Sequence, residues 1–210
     1  VKRIDKQKGE GLIFIVGMPR SGTTLTESIL STGEDIVAGG EKVFFTNNLW
    51  SIFSELKPDQ KINPEFIEEL GNRYINTIEC HRNGAFNFID KMPANFLYYK
   101  FIKMALPSSK FIHVHRNSWD NAISLFKANY QDTIIYSSSF FGIATEYSNY
   151  FHLMKFWEKL SGQSCFYNIA YEDLVSKTDE MIEKLWDYCG IKGKFSSEKR
   201  LSSLIVTLFA

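Results

Sequence analysis

Eight residues, "GMPRSGTT" from Gly17 to Thr24, follow directly on the apolar run "LIFIV". A short, β-branched apolar run closed by Gly reads as a buried parallel strand. Two glycines let the turn after it curl until backbone N–H groups face an anion. The helix opening at Thr23 or Thr24 adds a partial positive charge at the same point. This is the outline of a phosphate-binding loop, with one departure. Nucleotide hydrolases carry Lys after the second Gly. Here Gly22 is followed by Thr23 and Thr24, and the nearest cation is Arg20, inside the loop. The ordinary alternative is a tight strand-to-helix turn that binds nothing. Arg20, with the hydroxyls of Ser21, Thr23 and Thr24, favours anion binding.

The missing lysine narrows the anion. Nucleotide hydrolysis needs that cation on the terminal phosphates and Mg²⁺ to neutralise their charge. A sulfuryl group carries one negative charge and needs no metal.

The rest of the chain alternates strand and helix patterns. "DIVAGG" and "FNFID" (residues 86–90) read as strands, as do "KFIHVHR" (110–116) and the stretch near 165–169. Helical spacing runs through "EKVFFTNNLWSIFSEL", through "PEFIEELGNRYINTIEC" with Pro64 in its first turn, and over 95–106. It returns in "SWDNAISLFKANY" with Ser118 as its cap, over 144–160, and in "KTDEMIEKLWDYCG" closed by Gly190. Residues 58–64 read as a loop. Such alternation predicts an α/β fold: a P-loop-type three-layer arrangement with a mainly parallel central sheet flanked by helices. With 210 residues, 44% of them hydrophobic, one full core and a single domain over 1–210 are expected. Ligands in such sheets sit at the carboxyl ends of the strands. The residues to watch are therefore Gly17 to Thr24, Glu41, Asp90 and Lys91, Arg116, and Tyr171.

Charge excludes some classes. Lys and Arg number 24 and Asp and Glu number 24, so there is no basic excess for nucleic acid or an anionic membrane. No apolar run approaches the roughly 20 residues of a membrane span. Cys80, Cys165 and Cys189 form no CxxC pair and are odd in number, which argues against a disulfide framework or a zinc site. Buried free thiols in a reducing, cytoplasmic compartment are the expectation. The chain opens "VKRIDKQKGEG" without Met or a signal peptide, which leaves open a domain cut from a longer protein. His113 and His115 share one face of a strand, but no carboxylate pattern completes a metal site. Tyr147, Tyr150, Phe151, Met154 and Trp157 fall at helical spacing and read as core.

"FIVGMPRSGTTL" resembles the 5′-phosphosulfate loop of sulfotransferases that use 3′-phosphoadenosine 5′-phosphosulfate (PAPS). "KFIHVHRNSWDNAISLF" is similar to the family's second element, where a strand-end Arg and a Ser eight residues later hold the 3′-phosphate. Here these are Arg116 and Ser124, and Lys127 stands near enough in sequence to share it. "GGEKVFF" and "DKMPANF" look like the segments that carry a catalytic Glu and Lys in the tyrosylprotein branch and its bacterial relatives. "YEDLV" resembles a late strand-end motif that includes Tyr171.

The resemblance implies a cofactor site of Pro19, Arg20, Ser21, Gly22, Thr23, Thr24, Arg116, Ser124 and Tyr171. It also implies catalytic roles for Glu41, Arg20 and Lys91. The cofactor is PAPS and the product adenosine 3′,5′-bisphosphate (PAP), with no metal. The acceptor is a hydroxyl: a peptide tyrosine, a saccharide or a small alcohol. Each residue has a plainer alternative: first-turn helix acid for Glu41, surface cation for Lys91 or Arg116, self-bonded helix hydroxyl for Ser124. Two other functions stay open. One is a degenerate, non-catalytic nucleotide-binding module. The other is a P-loop kinase or NTPase with "FNFID" as its Mg²⁺-binding strand. The ending "EKRLSSLIVTLFA" departs from the family's Ser-bearing segment and basic cofactor lid.

Overall fold

A computed structural model describes residues 6–55, 62–128, 130 and 134–193. The C-terminal "EKRLSSLIVTLFA" and most of the 58–64 loop lie outside the described residues. Five strands form one parallel sheet: β1 (Leu12–Gly17), β2 (Ile36–Ala38), β3 (Asn87–Asp90), β4 (Lys110–His115) and β5 (Tyr167–Ala170). Their order is β2-β3-β1-β4-β5, and every pairing is parallel. β1 is thus central, and all six of its residues are buried.

Side chains on a strand alternate between faces, and β1 divides the core accordingly. Leu12, Phe14 and Val16 join one cluster, whereas Ile13 and Ile15 join the other. The first face is aromatic. Phe14 stacks on Phe111 at 4.9 Å and meets Tyr74 at 5.7 Å. It is covered by α2 (Phe44–Glu55), α3 (Pro64–Arg82), α4 (Tyr99–Ala105) and α6 (Phe140–Ser161). The second face is aliphatic. Leu25, Ile29 and Leu30 of α1 (Thr23–Leu30) pack there with Ile182, Leu185 and Trp186 of α8 (Thr178–Cys189). Helix α5 (Ser118–Ala128) and the short α7 (Tyr171–Ser176) follow β4 and β5 directly. The expected three layers are present.

Local chemistry explains the element ends and several departures from expectation. Asn63 caps α3, its side chain accepting the Glu65 N–H at 2.9 Å with Pro64 in the first turn. Helix α5 is capped by Asn117, whose Oδ1 accepts from Trp119 and Asp120 at 3.0 and 3.3 Å; Ser118 is already helical. The 95–106 helix is split into a 3-10 segment, Pro93–Tyr98, and α4. "YEDL" leaves β5 as helix α7. Helix α6 starts earlier than expected because Ser139 accepts the Gly142 N–H at 3.0 Å.

Two burial expectations fail. Of the three thiols only Cys189 is buried: Cys80 is exposed and Cys165 half-buried. On α6, Tyr150, Met154 and Trp157 are core, but Phe151 is exposed, since it falls on the outward side of a helix with one covered face.

Candidate active site

The turn after β1 is conformationally demanding. Arg20 sits at φ 67 and Gly22 at φ 105, both in the left-handed region. Gly22 is needed twice over: a Cβ there would stand 2.5 Å from Cδ2 of Tyr171. The first bond within α1 runs from the Thr26 N–H to the Gly22 carbonyl at 3.0 Å. The N–H groups of Thr23, Thr24 and Leu25 therefore have no carbonyl within their own helix. Ser21 is 1% exposed, and its Oγ has no hydrogen-bond partner among the described residues. Such an atom in a native fold calls for a ligand or water.

β4 and α5 bring their residues onto the same loop. The Arg20 Nε donates to Ser124 Oγ at 3.2 Å, and Arg116 Nη1 donates to the Arg20 carbonyl at 3.4 Å. The Arg116 guanidinium lies 4.5 Å from the Tyr171 ring centroid, a cation–π contact, and its buried Nε has no described partner. The Asn121 side-chain N–H donates to the Pro19 carbonyl at 3.0 Å. Spacing alone left open whether Arg116 and Ser124 converge; the chain folds back and they meet at Arg20. Lys127 is exposed on the last turn of α5 and does not line the cleft.

On the other side of the loop, Lys91 Nζ and Glu41 Oε1 form an ion pair at 2.6 Å. The Lys91 side chain is only 10% exposed, the Glu41 side chain 55%. Glu41 is not a first-turn helix acid, because α2 begins at Phe44. The Gly40 peptide, at φ +65, is held from both ends. Its N–H donates to Glu27 Oε1 at 2.9 Å, and its carbonyl accepts the Lys91 N–H at 3.0 Å. Glu27 belongs to α1, so the helix that follows the β1 turn also fixes the turn that presents Glu41. Burial pushes the Glu27 carboxyl above its ordinary range, against the Gly40 hydrogen bond and the Lys91 charge.

Asp90 precedes Lys91 but is buried. It is 1% exposed, accepts from the Tyr74 hydroxyl at 2.7 Å and from Asn95 Nδ2 at 3.3 Å, and does not line the cleft. Burial raises its carboxyl to about 7, opposed by the Tyr74 hydrogen bond. Buried on these partners, Asp90 does not face the cleft, where a kinase reading of "FNFID" would need it. His113 is buried between Asn168 Oδ1, at 2.6 Å, and the Tyr150 hydroxyl, and burial lowers it to about 4. His115 is exposed. Among the described residues no group of three or more His, Cys, Asp or Glu could hold a metal ion. No described helix is long and apolar enough to cross a membrane.

One cleft of about 1030 Å³ adjoins the loop; Ser21, Lys91 and Ser124 stand behind its lining. Pro19, Arg20, Gly22, Thr23, Thr24 and Tyr171 line it, together with Arg116 and Glu41. Its remaining wall was not expected from the sequence. Met92, Pro93, Ala94 and Leu97 form one side, and Ile134, Ile135, Tyr136 and Glu146 another. Burial first, and the Glu146 carboxylate second, push the Tyr136 phenol up to about 12.

Residues 13–194 match the sulfotransferase family. The chain belongs to that family. It is 30% identical over 206 residues to an uncharacterized protein of Aquifex aeolicus (strain VF5), a match covering 89% of this chain and 27% of that one. It is 25% identical over 187 residues to a Caenorhabditis briggsae protein named "Putative protein-tyrosine sulfotransferase", covering 87% and 66%. The chain thus spans about a quarter of the first relative and just under two thirds of the second. The fold is that of a solved sulfotransferase from Alicyclobacillus acidocaldarius, with TM-score 0.57 and 15% identity over 90% of this chain and 88% of that one. Mouse sulfotransferase SULT7A1, solved complexed with PAP, shares it with TM-score 0.56 and 16% identity over 92% and 65%.

Proposed function

We propose that the chain transfers a sulfuryl group from PAPS to an acceptor hydroxyl, without a metal, by in-line displacement. The observation that carries this reading is the convergence of Arg20, Ser124 and Arg116 on one strained loop whose neighbouring Ser21 Oγ is buried without a partner. The donor set suits a ligand with two anionic ends. The loop N–H groups and the hydroxyls of Ser21, Thr23 and Thr24 suit the 5′-phosphosulfate. Arg116, with Ser124, suits the 3′-phosphate.

Bound PAPS supplies a sulfuryl group whose S–O bond to the 5′-phosphate breaks as a new S–O bond forms to the acceptor oxygen. The protein's part is positioning and charge. Glu41 takes the acceptor hydroxyl's proton on its carboxylate and returns it to solvent, to which it is open. Lys91 holds that carboxylate in place, and its charge, with that of Arg20, offsets charge developing on the bridging oxygen. The Arg116–Tyr171 contact keeps the guanidinium plane over the loop.

Calorimetry with PAP in the absence of metal, and with ATP and Mg²⁺, tests the reading. Metal-independent PAP binding is expected, as is transfer of label from PAPS to an acceptor. Preferential binding of ATP with Mg²⁺ would assign the loop to a phosphoryl-transfer enzyme. PAP binding without transfer to any acceptor would mark a non-catalytic nucleotide-binding module.

A further inference from the structure

Arg116 leaves β4 where the sheet no longer supports its backbone. The pairing of β4 with β5 ends at His115 and Ala170, and helix α5 begins only at Ser118. The peptide between Arg116 and Asn117 lies between ladder and helix, and its carbonyl and N–H must find partners elsewhere. Resting on the sulfuryl-transfer reading above, we propose that Tyr147 and Glu172 are positioning residues that hold this peptide, aim Arg116 at the 3′-phosphate, and so make the chain choose PAPS over a donor without that group.

The peptide is gripped at both ends by side chains from two helices. The Tyr147 hydroxyl, on α6, donates to the Arg116 carbonyl at 3.2 Å. The Asn117 N–H donates to Glu172 Oε1, on α7, at 2.8 Å. One such bond would leave the peptide plane free to turn; two on opposite edges fix it. The Arg116 Cα is a corner of that plane, so a turning peptide would carry the root of the side chain with it.

Helix α7 holds the other end of the same residue. Tyr171, next to Glu172, places its ring centroid 4.5 Å from the Arg116 guanidinium. Two adjacent residues of one helix thus fix Arg116 at its backbone and at its head.

These contacts leave the arginine's charge unspent. Its Nη1 donates to a neutral carbonyl, that of Arg20. Among the described residues Arg116 forms no ion pair, and its buried Nε has no partner. The Glu172 carboxylate is taken up instead by a backbone N–H beside the N-terminus of α5, where negative charge is favoured. An arginine held by neutral groups keeps its full attraction for an anion.

Tyr147 suits its part. Burial first, and the Glu172 carboxylate second, push its phenol above the ordinary range, so it stays a donor. Its ring meets Tyr150 edge-on at 5.7 Å, and the Tyr150 hydroxyl bonds to His113 on β4. The hydroxyl is therefore set by packing against the core as well as by its own bond.

Calorimetry with PAP and with adenosine 5′-phosphate, which lacks only the 3′-phosphate, reads the effect. Glu172→Ala should cut the preference for PAP by about tenfold, because the Asn117 N–H loses a charged acceptor. Tyr147→Phe, which keeps the ring, should cut it by about threefold. Affinity for adenosine 5′-phosphate should stay near wild type in both. Glu172→Gln keeps an acceptor and should restore most of the preference. In an Arg116→Ala background neither substitution should change the ratio further. A wild-type protein that binds PAP no better than adenosine 5′-phosphate overturns the PAPS reading itself. A wild type that prefers PAP, with variants that keep the preference, weaken both nucleotides alike, resist rescue by Glu172→Gln, or act undiminished without Arg116, overturns the positioning role alone.

Discussion

The two ends of the cleft are built by opposite means. The anion end is assembled from hydrogen bonds between segments far apart in the chain: Arg20 to Ser124, Arg116 to the Arg20 carbonyl, Asn121 to the Pro19 carbonyl. The other end is mostly apolar, lined by Met92, Pro93, Leu97, Ile134 and Ile135, with Tyr130, Tyr136 and Glu146 as its polar groups. The first end reads charge and geometry, so moving one donor is costly. Glu41 and Lys91 stand at the seam, each with its backbone fixed to the same peptide at Gly40.

The sharpest test of this division is at the seam. Glu41→Ala should lower kcat by roughly a thousandfold, the usual range for a general base, while PAP affinity stays near wild type. Loss of PAP binding in this variant would mean that the two ends are not separable.

The next test probes the ground under the seam. Asp90 is held near 7 by burial, well above its value in an unfolded chain, so the folded protein keeps a proton that the unfolded one releases. Stability should therefore fall as pH rises from about 4 to about 7, by on the order of 4 kcal/mol, and level off above. Denaturant unfolding of wild type and Asp90→Asn at about pH 5 and about pH 8 isolates this contribution. Parallel pH slopes in the two proteins would place the effect elsewhere.

At the anion end, Arg116→Ala should cost roughly a hundredfold in preference for PAPS over adenosine 5′-phosphosulfate, the worth of two charge-assisted bonds. Dissociation constants for both nucleotides decide it. Equal weakening of the two would show a general field and no reading of the 3′-phosphate. Gly22→Ala should destabilise by about 2 kcal/mol, because the loop needs positive φ and the new methyl meets Tyr171. An unchanged melting transition would show that the loop and ring can separate freely. The smallest effect is expected at Glu27. Glu27→Ala should lower kcat by about tenfold through the loosened Gly40 turn, and Glu27→Gln, which keeps an acceptor, should restore most of it. Equal losses in both would give Glu27 an electrostatic role instead of a positioning one.

The same contrast explains what was legible in the sequence. The loop was readable because phosphate binding demands Gly and hydroxyl residues at fixed offsets, and "LIFIV" names its strand. The α/β alternation and the parallel sheet followed from short apolar runs separated by helical spacing. Arg116 and Ser124 were placed by resemblance, since no periodicity shows a chain folding back on itself. Met92, Leu97, Ile134 and Ile135 were invisible as a wall, because an apolar residue lining a cleft and one filling a core look alike in sequence. Glu27 was missed for a related reason: its partner is a backbone N–H, which every residue offers. The one available signal was an acid on the inner face of α1, among Leu25, Ile29 and Leu30. Asn117 and Ser118 are both good caps and stand side by side, so their residue types alone do not separate them.

The central place of β1 has a cost during synthesis. Leu12 pairs with Phe88 and Ile13 with Lys110, so the strand that bears the loop emerges early and gains both neighbours only much later. Pairing across such sequence distances is slow. Until it happens, "LIFIV" is an uncharged, β-prone ribbon with both hydrogen-bonding edges bare. The nascent chain should therefore be most prone to self-association before residue 110 has left the ribosome, and the loop can take shape only after that.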